Sequence, residues 1–327
     1  MTDPLRTTDH PRSTRHAWLR DALHLAAIVA AALLLSARGC NWADDPLPGP
    51  GSLAPAPRTP AGGTDVTFFV AADTHFGAQG IAERNARQVQ AMNDLPGTPL
   101  PTAYGGAPVH QPLGLLVAGD LTNSGRRDQW NQFVKHYGLT GSDAPLKYPV
   151  FECAGNHDRQ ALLFRPVLDG VKARHGGKLI YSWNWGDVHL VCLDLYPDAA
   201  ALRWLRKDLA AVGRKLPVVI YFHYSILGPF SEWWTDRERQ AFAEALQGYH
   251  VVALFHGHYH ASQHYTWRGY DVYNVGSPRH NMHSFAAVRI TDNTLTVASW
   301  NWDRGGWDWV HRKPINQPAP AVATPAP

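Results

Sequence analysis

The chain has 327 residues, 45% of them apolar, and a formal net charge of +3 with histidine neutral. That length accommodates one large domain or two modest ones, and the apolar share excludes a wholly disordered chain. So small a charge, with no basic stripe interleaved with aromatics, gives no ground for a nucleic-acid partner. The three cysteines, Cys40, Cys153 and Cys192, form no C-x-x-C pair, so a zinc knuckle is not expected. Cys153 and Cys192 lie in apolar, strand-like runs and are expected as buried thiols, with a disulfide between them left open.

Residues 1–43 read as an export signal or membrane anchor. Arg6, Arg12, Arg15 and Arg20 precede an apolar run at 25–35, which is short for a membrane span. Gly39 before Cys40 fits part of a lipidation site, although Arg38 stands where a small residue is usual. Cleavage, retention as an anchor and lipidation at Cys40 are the three outcomes, and each predicts an exported protein, periplasmic or in the cell envelope. Residues 44–63 are a Pro- and Gly-rich linker, 64–313 a single domain, and 314–327 a Pro- and Ala-rich tail expected to be disordered. Nothing in the sequence sets an oligomeric state.

Within the domain, strands are predicted at 66–72, 113–118, 150–154, 179–185, 188–195, 218–222 and 251–255. A later run follows at 263–267, 272–275, 285–290 and 295–300. Gly186-Asp187 and Arg268-Gly269-Tyr270-Asp271 are turns. Trp130, Phe133, Val134 and Tyr137 form a helical stripe ended by Gly138. Leu202, Leu205, Leu209 and Val212 form another, ended by Gly213. Thr235-Asp236-Arg237-Glu238 is a capping box opening a helix through Phe242 and Leu246. Strand–helix alternation followed by strands predicts a layered α/β domain.

Five clusters follow strand ends: Asp73-Thr74-His75, Gly119-Asp120, Gly155-Asn156-His157-Asp158, His223, and Gly257-His258-Tyr259-His260. If the strands lie parallel in one sheet, the clusters meet at its carboxyl edge. Among them, Asp73 and Asp120 offer carboxylates, His75, His223, His258 and His260 imidazoles, and Asn156 an amide oxygen. That mixed N/O set without thiolate suits two divalent transition ions such as Mn, Fe or Zn. Each cluster alone is a common occurrence; five in order are not. The glycines before the ligands are expected where the backbone turns sharply.

The ordered set D-x-H, G-D, G-N-H-D, H, G-H-x-H resembles the calcineurin-like metallophosphoesterase signature. The resemblance implies an α/β fold of two packed mixed β-sheets flanked by helices, in four α-β-β-α layers. It implies that Asp73, His75 and His260 hold one metal, that Asn156, His223 and His258 hold the second, and that Asp120 bridges them. His157 would face the phosphate and stabilise or protonate the leaving oxygen, with Asp158 orienting it. The implied function is metal-dependent hydrolysis of a small phosphorylated substrate by attack of a bridging hydroxide. Cleavage of a diester, such as a cyclic nucleotide or phospholipid headgroup, is an alternative, and a non-catalytic scaffold on the same fold is a weaker one. Purple acid phosphatases carry Gly at the position of His75 and a Tyr ligand shortly after G-D. This chain has His75, and Asn123 and Ser124 near the second place, so the purple type is not expected. Arg159, Tyr224, Trp233, Trp234 and His283 are candidate substrate contacts. Ser277, Arg279 and His280 are candidates for the pocket rim, Trp183 and Trp185 for the core.

Overall fold

Successive side chains of a strand point to opposite faces, so a strand apolar on both faces needs cover on two sides. β1 (Asp65–Ala71) is such a strand. Val66, Phe68 and Val70 enter one buried cluster, Phe69 and Ala71 another. β2 (Leu115–Ala118) pairs parallel with β1, and β3 (Val150–Cys153) pairs parallel with β2. Both divide their residues between the same two clusters. The computed structural model describes residues 63–280 and 282–315, all within one compact unit, Pro48–Pro327. The predicted signal, the linker up to residue 62, and residues 316–327 of the tail lie outside the described residues.

Three antiparallel strands, β10 (Ser284–Thr291), β11 (Thr294–Asn301) and β12 (Gly306–Pro314), extend the first sheet to the order β12-β11-β10-β1-β2-β3. The second sheet contains β4 (Tyr181–Trp185), β5 (Val188–Cys192), β6 (Val218–Tyr221), β7 (Val251–His256), β8 (Ser262–Trp267) and β9 (Tyr270–Val275), in the order β4-β5-β6-β7-β9-β8. β5, β6, β7 and β9 run parallel. The sheets bury a shared core in which Phe68 meets Phe255 edge to face, with centroids 6.5 Å apart. The outer face of the first sheet packs on α1 (Ile81–Asp94), α2 (Arg127–Tyr137) and α3 (Pro166–Arg174). The second packs on α4 (Ala199–Val212) and α5 (Asp236–Leu246). This is the four-layer α-β-β-α arrangement that the resemblance implies.

The predicted stripes became α2 and α4, and the capping box at Thr235 and Glu238 opens α5. α1 was not predicted because its buried face is partly amide. Asn85 donates to the Thr74 carbonyl at 2.9 Å and accepts from the Tyr137 hydroxyl at 2.7 Å, so the helix is fastened by hydrogen bonds an apolar count cannot see. β12 was also missed. Its continuation Ile315 is buried and donates its N–H to the Asn293 carbonyl, so the ordered domain enters the predicted tail at Pro314 and Ile315. The second hairpin turns on Arg268 and Gly269 alone, both at positive φ, and Tyr270 already belongs to β9. Cys153 and Cys192 are buried free thiols. Among the described residues no helix is long and apolar enough to cross a membrane.

Candidate metal centre

The motif loops come from both sheets, not from one sheet edge. Asp73, His75, Asp120 and Asn156 follow β1, β2 and β3; His223, His258 and His260 follow β6 and β7. The loops are stitched together by backbone hydrogen bonds. Asp73 donates its N–H to Gly119 and His75 donates to Asp120, both at 2.9 Å. Gly155 and Gly257 serve close approach, not the sharp turn expected of them. A Cβ on Gly155 would lie 2.1 Å from Asp120 Oδ1, and one on Gly257 would lie 2.6 Å from Asp73 Oδ2.

Five of the seven predicted ligands adopt the left-handed backbone region: Asp73 (φ 56°), His75 (45°), Asp120 (52°), His258 (68°) and His260 (55°). Each such residue costs about 1–2 kcal/mol relative to a relaxed backbone. Glycine would remove that cost, so the retained side chains point to a use that needs their donor atoms.

All seven side chains converge. Asp73, His75, Asp120 and His260 form one group of donor atoms within 4.8 Å of one another; Asp120, His223 and His258 form a second. Asp120 belongs to both. Asn156 joins the second group, its Oδ1 lying 2.9 Å from His223 Nε2. His223 is aimed by its other ring nitrogen, which meets the Ala118 carbonyl at 2.9 Å. The carbonyl only accepts, so Nδ1 carries the hydrogen and Nε2 faces the site. Asp73 accepts the backbone N–H of His258 at 3.0 Å.

Burial pushes His75 down to about 3 against the pull of Asp120 and Asp73, and it pushes His258 down to about 4. Both are therefore neutral, the form in which imidazole binds a metal. Burial opposes a charge on His223 too, but Asp120 overrides it and lifts that imidazole to about 9. Burial would raise both carboxyls. His260 outweighs it at Asp73 and His223 at Asp120, and both lie below the ordinary value. His258 Nε2 is buried with no hydrogen-bond partner, and the Nε2 atoms of His75 and His260 face each other at 3.1 Å. An orphaned nitrogen and a facing pair of ring nitrogens beside two carboxylates fit divalent cations, and the donor set without thiolate fits Mn, Fe or Zn.

His157 lies on the cleft in front of this centre. Its backbone N–H donates to Asp120 Oδ1 at 2.8 Å, and its Nδ1 meets the Asn123 carbonyl at 2.7 Å. Asn123 therefore orients the ring, and the expectation that Asp158 does so is corrected. The Asp158 carboxylate is buried and accepts from the backbone N–H groups of Leu121, Thr122 and Gly155 and from the Thr122 hydroxyl, at 2.7–3.0 Å. It braces the loop that carries Asp120.

The predicted substrate contacts separate. Tyr224 packs 4.7 Å from the His258 ring, and Trp233 stacks on Tyr224 at 5.2 Å with half its surface exposed. Trp234 is a core residue, 2% exposed, wedged against Phe222, Phe242 and Tyr196. Arg159 is held in an ion pair with Asp194, and His283 stacks on Trp302 and pairs with Asp303. None of these last three lines the cleft; Phe230, Tyr259, Arg279 and His280 do. Arg279 places a guanidinium nitrogen 3.3 Å from the His75 ring. Its backbone is fixed by Ser277, whose hydroxyl bonds the Asp73 carbonyl at 2.8 Å, and by Arg84. His256, beneath the last motif, is buried against the Tyr265 hydroxyl at 2.8 Å and is structural.

A profile of the calcineurin-like phosphoesterase family matches residues 66–262, well over half of the chain. A curated relative, purple acid phosphatase 23 of Arabidopsis thaliana, is 30% identical over 153 residues, covering 42% of this chain and 32% of that protein. The chain thus spans about a third of the length of the curated relative it matches. Among solved structures, a purple acid phosphatase from yellow lupin (Lupinus luteus) superposes with a TM-score of 0.54 at 14% identity, covering 78% of this chain and 54% of the other. GAP50, the anchor in the inner membrane complex of Plasmodium, gives 0.56 at 11% identity, covering 77% and 90%. These structures share the fold. By its motifs, its fold and the span of that match, the chain belongs to the calcineurin-like phosphoesterase family.

Proposed function

We propose that the protein is a binuclear metallophosphoesterase, hydrolysing a phosphate ester outside the cytoplasm. Asp73, His75 and His260 would hold one divalent ion, and Asn156, His223 and His258 a second. The membership of Asp120 in both donor groups carries the reading. When bound, two such ions would polarise the phosphoryl oxygens and make a water acidic enough to supply hydroxide near neutral pH. The protein's own part is positioning. Asn123 fixes His157 through Nδ1, which leaves Nε2 to protonate the departing alkoxide. Arg279 is placed to bind a phosphate oxygen beside His75. The relative's name favours a phosphatase. The export assignment rests on residues 1–43 alone.

A diester substrate is favoured by a different observation. Phe230 is half exposed on the cleft, Trp233 is half exposed over Tyr224, and Leu162, Leu163 and Phe164 are largely exposed on the loop after His157. Such apolar surface suits a substrate with a bulky group on each side of the phosphate.

A panel of aryl phosphate monoesters and diesters, cyclic nucleotides and phospholipids separates the readings when run with Mn²⁺-loaded protein. His157→Ala is expected to keep its metal and lose about 10²–10⁴-fold in rate. Metal loss in that variant would make His157 a ligand, and no turnover of any ester by wild-type protein would sink the enzymatic reading.

A further inference from the structure

Away from the centre, where the edge of the second sheet meets the outermost strand of the first, a second group of donors converges. His264 on β8, Asp271 on β9 and His311 on β12 each place a donor atom within 4.8 Å of the others. The His264 and His311 rings lie parallel, 3.9 Å apart, and His264 Nε2 is 2.6 Å from Asp271 Oδ1. Two contacts fix which donor atoms the group presents. The Tyr273 hydroxyl takes His311 Nδ1 at 2.7 Å, leaving Nε2 as the ring's remaining donor atom. Lys313 occupies Asp271 Oδ2 and leaves Oδ1 to the histidines.

We propose that His264, Asp271 and His311 bind a single divalent transition ion of the zinc type, which clips the two sheets together at this edge. Two imidazoles and one carboxylate are a common zinc set, with further positions left to water. Burial, and then His264, push His311 below its ordinary value. Burial would raise Asp271, but His264 and Lys313 bring it to about 2, so the carboxylate is charged throughout the neutral range. Tyr273 stacks on Trp309, whose indole N–H bonds the Ser262 hydroxyl at 3.0 Å, so the strands bearing the ligands are already cross-linked and the site is preformed. Lys313 opposes the ion. It neutralises Asp271 and adds a like charge near the metal, so affinity is set below that of the bare triad.

The test is a count of zinc per chain in full-length protein loaded with Zn²⁺ and desalted. Wild type is expected to carry one equivalent more than His264→Gln or His311→Gln, with aryl phosphate turnover unchanged within about twofold, since neither residue touches the centre. The count is a difference, so it stands whether the centre holds one ion, two or none. Equal zinc in wild type and both variants would overturn the proposal. Lys313→Met keeps all three donors and is expected to tighten Zn²⁺ binding at this edge at least about tenfold. Zinc at this edge in neither wild type nor Lys313→Met would mark the group as a hydrogen-bond network only.

Discussion

At the scale of single residues, the centre depends on how close its loops come. Gly155 lies so near Asp120 that any side chain must displace the shared carboxylate. Gly155→Ala is therefore expected to lose more than about tenfold in activity, measured as hydrolysis per bound metal. Asp158→Ala should act differently from His157→Ala. It strips four donors of a buried acceptor and is expected to destabilise the fold by about 3 kcal/mol or more, read by urea unfolding. His157→Ala should leave stability within about 1 kcal/mol. The ligand residues were legible because each ends a buried apolar strand and belongs to an ordered set. Asp158's partners were not, because a G-N-H-D string does not say which way its last carboxylate turns. Arg279 was visible only as a rim candidate. Its place beside His75 arises from the return of the β9–β10 connection to Asp73, which no local pattern encodes.

At the scale of elements, neighbouring tryptophans divide the work of one loop. Trp234 faces inward onto α5, and Trp233 faces outward along Tyr224. Trp234→Ala is expected to cost about 3–5 kcal/mol of stability with KM unchanged. Trp233→Ala should leave stability nearly intact and raise KM for substrates with an aromatic or acyl group. The opposite pattern, measured by unfolding and steady-state kinetics, would exchange their roles. The adjacent capping box predicts a loss of about 1 kcal/mol for Thr235→Ala. Periodicity revealed α2, α4 and most strands because their buried faces are apolar. It missed α1, whose buried Asn85 and Gln88 are polar, and β12, whose charged and aromatic residues cover a sheet edge.

Across the whole molecule, the two sheets must stay in place for loops from both to share Asp120. A buried ion pair fastens the edge strand β3 to α3. Arg174 binds Glu152 and also caps the carbonyls of Leu139 and Val150. Burial alone would raise the Glu152 carboxyl, but Arg174 and then His175 outweigh it and hold it below its ordinary value. This contribution to stability is present above the unfolded carboxyl value and is lost as pH falls through the lower folded one. Arg174→Met is expected to cost about 3–5 kcal/mol and to move acid unfolding to higher pH. The layered architecture was legible from strand–helix order and the family resemblance, whereas the split of the motif loops between two sheets emerges only from the pairing of the strands. The most direct test of the binuclear centre is aryl phosphate hydrolysis by chelator-stripped protein before and after Mn²⁺ is returned, in wild type and Asp120→Ala. The expected result is no turnover when stripped, recovery with metal in wild type, and none in the variant; full activity in the stripped protein or in Asp120→Ala would contradict it.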